Sequence, residues 1–442
     1  MQFTKKFTFA AVAFAAAITL SSCPGKKGPP LEKTETMRVE PISLIRSQDT
    51  SPEVGAPVAS DGRILVASSR KKVVTYDYSG VKTGEAGLSF EPVATPAVDG
   101  NAIYAGAGDG KFHAADFITG EDLWDYELKT IGFSPATVYK DIVIFQTASD
   151  RLVALDKNTG EWRWEYQHLR VYDLSVKGLA RPVVSDGFIY VGFSGGSVAK
   201  FEADTGAGIW KTRAFTGEQF VDVNTPVEVD ETSVYCVSVD GRVAALSKKT
   251  GNIFWEYSAG GMAGGRLQGD DIYIATDHSE LFSIDKVTGV PGWITDYDDS
   301  PETAFRDYPL RPVVLGDYIA VVSRWGEVIA FDRASGDIAY RRHYHTDTYS
   351  EPVMLDEESF VFIDNKGIVR IFRLTGAVIP AAAESPDVTP EKTPAGDVDE
   401  TETTGEETPE FDNDEIEVLD SSTSDSGVLG GPSEAPAEEE GD

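Results

Sequence analysis

The residues of this chain that could do metal or nucleophile chemistry are few: five histidines, two cysteines and scattered carboxylates in 442 residues. His343 and His345, in Arg341-Arg342-His343-Tyr344-His345, alternate as strand residues do, so both rings could face one side and hold a metal. No third ligand accompanies them, and His113, His168 and His278 stand apart in sequence, so the pair reads as an exposed basic stretch. Asp61-Gly62, Asp99-Gly100 and Asp186-Gly187 resemble fragments of calcium loops but lack the graded series of oxygen ligands, and read as hairpin turns. The run Gly260 to Gly265 has no following Lys-Ser/Thr and opens no helix, which argues against phosphate cradling. Cys236 lies in the apolar run Val234-Tyr235-Cys236-Val237 and reads as a buried core thiol; Cys23, the other cysteine, is far from it. No nucleophile elbow, zinc helix or paired-carboxylate context stands out. The expectation is a protein without a catalytic centre, metal or cofactor.

What does recur is structural. Glycines at 80, 120, 160, 206, 251, 289, 336 and 376 follow a Ser/Thr or similar turn residue at spacings of 40, 40, 46, 45, 38, 47 and 40 residues. That period suits one four-stranded propeller blade. Before each glycine runs an alternating segment such as Val153-Ala154-Leu155-Asp156, and four residues after it comes an aromatic: Trp124, Trp164, Trp210, Trp255, Trp293 and, in the seventh copy, Tyr340. A flat ring at the start of each outer strand can fill the wedge between blades while its N–H reaches a backbone carbonyl. Ahead of each turn lies a second recurrent segment opened by Pro57, Pro96, Pro135, Pro182, Pro226, Pro312 or Pro352, the sixth copy alone lacking the proline. Proline is tolerated where a strand begins and no ladder donor is needed. The last copy has Pro380 where its aromatic should be, and Val39, Ile42, Leu44 and Ile45 mark an N-terminal strand that can complete it. Closure of that kind abolishes an open sheet edge. The expected fold is all-β, an eight-bladed propeller over residues 38–379, closed by the N-terminal strand, with essentially no helix.

The ends differ in kind from this core. Lys5 and Lys6 precede an apolar run from Phe7 to Leu20, a signal peptide expected over residues 1–22 and too short to span a bilayer comfortably. Its end, Leu20-Ser21-Ser22-Cys23, is similar to a bacterial lipobox, which would make Cys23 the acylated first residue of the mature chain. Pro24 follows where an aspartate would resemble an inner-membrane retention signal, so the expected location is the outer membrane, periplasmic face. Residues 23–37 read as a lipidated tether. From 380 to 442 the chain carries 21 Asp and Glu against Lys392 alone, so 20 of the 34 net negative charges fall there. That composition predicts a disordered acidic tail, and the overall sign disfavours nucleic acid as a partner.

The unit Ala-x-Asp-x-x-Thr-Gly-x-x-x-Trp resembles the tryptophan-docking repeat of pyrroloquinoline-quinone (PQQ) dehydrogenases and their non-enzymatic relatives. The enzymes would need a vicinal cysteine disulfide under the quinone, and no two cysteines are adjacent here. The BamB family of β-barrel assembly lipoproteins is matched in more than the repeat: lipobox, tether, eight copies, and a sixth copy without proline. Asp173-Leu174-Ser175-Val176-Lys177-Gly178 is similar to that family's Leu-Ser-Leu-Arg-Gly loop, with Val176 for Leu and Lys177 for Arg. Asp222-Val223-Asn224-Thr225-Pro226 resembles its Asp-Val-Asp-Thr-Thr-Pro, one residue shorter and with Asn224 for the second aspartate. Lys lacks the fork of Arg and Asn lacks charge, so these positions depart in chemistry as well as identity. The resemblance implies a scaffold that acts as a monomer within a hetero-complex and promotes outer-membrane protein insertion. It would bind a BamA-like partner through Leu174, Val176, Lys177, Asp222 and Asn224, and unfolded outer-membrane proteins are possible further partners. The alternative on the same fold is a cell-envelope adaptor with another partner.

Overall fold

A computed structural model describes residues 38–46, 55–68, 70–169, 179–217, 220–259, 263–297 and 308–375. The expected signal peptide, the tether with Cys23, the acidic tail and the loop carrying Leu174, Val176 and Lys177 lie outside the described residues.

The strands form eight four-stranded antiparallel sheets, each a meander from an innermost to an outermost strand. Blade 3 shows the pattern: Thr137–Tyr139, Ile142–Thr147, Arg151–Asp156 and Trp162–Gln167. The two middle strands are buried almost throughout because each face is covered by a neighbouring blade. On one side Ile142, Ile144, Leu152, Ala154 and Trp164 pack with Ile189, Val191 and Phe201 of blade 4. On the other, Val143, Phe145, Val153 and Leu155 pack with Tyr104, Phe112 and Ala114 of blade 2. Strand alternation thus feeds two cores at once. The Phe112 and Phe145 rings stack at 3.8 Å between centroids, and removing such a buried ring typically costs about 3 to 5 kcal/mol.

The innermost strands begin one or two residues after the series of prolines: Val58 after Pro57, Ala97 after Pro96, Val183 after Pro182, Val313 after Pro312 and Val353 after Pro352. Each touches the innermost strand of the next blade, and Val353–Met354 of blade 8 touches Val58–Ser60 of blade 1, so the ring closes around a central channel. Blade 8 is completed by Arg38–Arg46, which pairs antiparallel with Ile368–Thr375, from Arg38 opposite Thr375 to Arg46 opposite Ile368. The N-terminal strand therefore closes the fold as the sequence predicts. Among the described residues the one helical piece is the 3-10 turn Ser194–Gly196.

Candidate functional site

A meander propeller has two unlike ends. One is made by the hairpins into the second strand and the Ser/Thr-Gly turns into the outermost strand. The other is made by the tight turns between the middle strands and by the connections from each outermost strand to the next innermost one.

The Ser/Thr-Gly end is occupied by the fold itself. The Trp164 indole N–H donates to the Ala203 carbonyl of blade 4 at 3.0 Å, and its ring lies flat on the turn glycine of that blade, where a Cβ on Gly206 would sit 2.6 Å from it. Gly206 has φ +72° as well, so glycine is required twice over. Trp124, Trp210, Trp255 and Trp293 repeat the contact, donating to the carbonyls of Lys157, Lys248, Lys286 and Arg333 at 2.9 to 3.2 Å and covering Gly160, Gly251, Gly289 and Gly336. Trp164 is buried and the other four are half-buried. Tyr340 packs into the core between blades 7 and 8, its hydroxyl 3.0 Å from that of Tyr344. The turns carry their own carboxylates. The Asp285 carboxylate accepts from the Thr288 hydroxyl and from the amides of Thr288 and Val287, which lowers its pKa. Burial pushes Asp156 up, but Arg163 and the amides of Asn158 and Thr159 outweigh it and hold that carboxyl below its usual range.

The connection end is irregular. The segment from Ala259 to Gly264 between blades 5 and 6 is short, whereas 168–182, 214–227 and 297–312 are long. Asp222 and Asn224 sit on 214–227. The resemblance makes Asp222 a partner-binding charge; the structure buries it to 2 % exposure. Its carboxylate accepts the Gly195 amide of the 3-10 turn at 2.7 Å, and its carbonyl accepts Val239 N–H from blade 5 at 2.9 Å. Val221 and Val223 on either side are buried, and Val223 presses so closely on Gly192 that a Cβ there would lie 2.3 Å away. Asp222 is therefore a clasp that fastens the connection across blades 4 and 5. Asn224 is half-buried. Phe220 stands at 45 % exposure with φ +58° just before the clasp.

Other candidates resolve structurally. Cys236 is buried, donates weakly to the Ala244 carbonyl at 3.8 Å, and has its thiol pKa pushed up by burial, the opposite of an activated nucleophile. His343 and His345 approach with their Nδ1 atoms 3.0 Å apart, and no group of three or more His, Cys, Asp or Glu among the described residues could hold a metal ion. Missed from sequence is a charged cluster at the starts of innermost strands: Arg181, Glu228, Arg266, Arg311 and Glu351. Three of these immediately precede a proline of the recurrent series, which was the available signal.

With this geometry in view, the comparisons with known proteins are specific. The family model described as outer membrane protein assembly factor BamB matches residues 36–171, 81–295 and 171–380. Outer membrane protein assembly factor BamB of Shewanella oneidensis is 25% identical over 269 residues, covering 59% of this chain and 66% of that protein, just under two thirds of its length. The same-named protein of Burkholderia pseudomallei is 25% identical over 337 residues, covering 72% of this chain and 87% of its own. The crystal structure of BamB from Moraxella catarrhalis superimposes with a TM-score of 0.66 at 22% identity, over 76% of this chain and 100% of that one. Quinohemoprotein alcohol dehydrogenase from Comamonas testosteroni shares the fold at a TM-score of 0.57 and 13% identity, over 76% of each chain. Matched along its whole propeller, the chain belongs to the BamB family of outer membrane protein assembly factors.

Proposed function

We propose that this protein is a non-catalytic scaffold of outer-membrane protein assembly, anchored through an acylated Cys23 at the periplasmic face of the outer membrane and bound to a BamA-like component through the connection end. The observation that carries the reading is the family match across every blade, to relatives named as assembly factors. Supporting it, Leu174, Val176 and Lys177 fall in the sequence between the outermost strand Trp162–Gln167 and the innermost strand Val183–Ser185, and Asp222 and Asn224 between the outermost strand Gly208–Arg213 and the innermost strand Glu228–Val229. The Asp222 clasp suits a positioning role. It holds one connection firm, while Leu174 and Val176 supply apolar contact and Lys177 a charge to the partner.

The test is recovery of the barrel-assembly component from native envelopes by wild type and by a Leu174→Ala, Lys177→Glu double variant with native circular dichroism. Binding should weaken by about 1 to 3 kcal/mol; equal recovery would remove this surface. Cys23→Ala should free the protein from membranes, and retention of that variant with no fatty-acid label on wild type would contradict the anchor.

A further inference from the structure

The charged cluster at the connection end of the channel has no part in the reading above. Around that mouth, blades 1 to 3 contribute small residues before their prolines, Ala56, Thr95 and Ser134, whereas blades 4 to 8 contribute Arg181, Glu228, Arg266, Arg311 and Glu351. Glu228 is already engaged: its Oε1 accepts from Arg311 and lies 3.6 Å from the Arg266 guanidinium. Arg311 also donates to the Gly265 carbonyl at 2.9 Å, and Arg266 to the Pro312 carbonyl at 3.3 Å. Arg181 makes no hydrogen bond or ion pair among the described residues; its charge faces Glu351 and Glu228 only at longer range and is opposed by Arg311. Arg181 keeps exposed surface, yet desolvation by the surrounding protein, then Arg311, lowers its pKa. Burial and then Arg311 likewise lower Arg266, to about 10. Among the described residues of the cluster, three guanidiniums stand against two carboxylates, an excess of one positive charge on a chain of net charge −34.

Directly beside the cluster, and sharing Arg311 and Glu351 with it, is a cavity of about 210 Å³ lined also by Tyr308, Leu310, Arg324 and Tyr349, with Asp277 on its wall. Arg324 lies over the Tyr349 ring at 4.1 Å and nearer the edge of contact with Tyr308 at 5.8 Å. Both tyrosines are exposed. The cavity exceeds what a lone inorganic anion fills, and its tyrosine and leucine walls suit the side chains of a polypeptide. A polyanion would be repelled by the chain as a whole, but a single carboxylate would not.

We propose that this channel mouth binds an extended peptide segment by one of its carboxylates, with Arg181 as the primary contact and the Tyr308, Arg324 and Tyr349 wall holding the neighbouring side chain. The site stands independently of the assembly role, and a synthetic probe keeps the two separable.

The probe is a short fluorescein-labelled peptide alternating Glu with Tyr, read by anisotropy against the full-length protein, with a Gln-for-Glu peptide and sodium citrate as controls. The Glu peptide should bind saturably and the Gln peptide about tenfold more weakly, the scale of one charge-assisted hydrogen bond. Arg181→Gln should lower affinity for the Glu peptide about tenfold and Arg181→Lys less, while Glu351→Gln, which removes the competing carboxylate, should raise it. That gain is one a merely structural role would not produce, and it decides the matter if Arg181→Gln fails to fold. Equal binding of the two peptides, wild-type affinity in Arg181→Gln, no gain in Glu351→Gln, or displacement by citrate at the peptide's own concentration would each overturn the proposal, the last in favour of a free-anion site.

Discussion

The two ends of this propeller are made from the same strands and obey different rules. At the Ser/Thr-Gly end five tryptophans repeat one contact, each ring flat on the next blade's glycine and each N–H on that blade's backbone. At the other end the connections differ in length, one is fastened by a buried aspartate, and unlike charges gather on one side of the channel. The difference teaches where variation is tolerated. Blade-to-blade docking is done locally and identically at one end, so the opposite end can change in length and charge without opening the ring.

Perturbing the docking end should produce the largest losses of stability. Trp164→Ala empties the most deeply buried docking site and should cost about 3 to 5 kcal/mol in a urea titration; a loss below roughly 1 kcal/mol would mean the ring contributes little. At the connection end the greatest effect should come from the clasp. Asp222→Asn forfeits a charge-assisted bond to the Gly195 amide, and should cost about 1 to 3 kcal/mol. Asp222 behaving as a neutral surface position would erase the distinction between clasp and contact residues.

Smaller effects follow from acid. Asp285 and Asp156 have folded-state pKa values below their ordinary value, so they contribute stability above that value and lose it as pH falls through the depressed folded-state values. The melting temperature should therefore drop as pH falls below about 4, and Asp285→Asn should flatten part of that drop. An unchanged pH profile in the variant would show that the turn carboxylate is dispensable. The smallest change in stability, within about 0.5 kcal/mol, is expected for Lys177→Glu, whose proposed effect is on binding.

How much of this was legible in the sequence tracks the same division. The offset of four residues from glycine to aromatic identifies the blades, and the missing aromatic at Pro380 points to closure by Arg38–Arg46, because both are local patterns repeated many times. The second reason for glycine, the neighbouring blade's indole on its Cα, was not legible, since it depends on how consecutive copies stack. Asp222 was misplaced for a related reason. Its partner is the amide of Gly195, twenty-seven residues earlier on another blade, and nothing in the local sequence distinguishes a buried clasp from an exposed charge. The proline series was read, but not the residue before each proline; Arg181, Arg311 and Glu351 occupy that position, and only the closed ring brings them to one mouth.

The central claim is that the connection end meets the assembly partner and the Ser/Thr-Gly end meets only neighbouring blades. A photo-crosslinking residue in place of Lys177, and another in place of the exposed Lys249 in the Ser/Thr-Gly turn before Gly251, tests it in the native envelope. Adducts to a barrel-assembly component from position 177 and none from 249 are the expected result. Adducts to that component from 249, or none from 177, would contradict it.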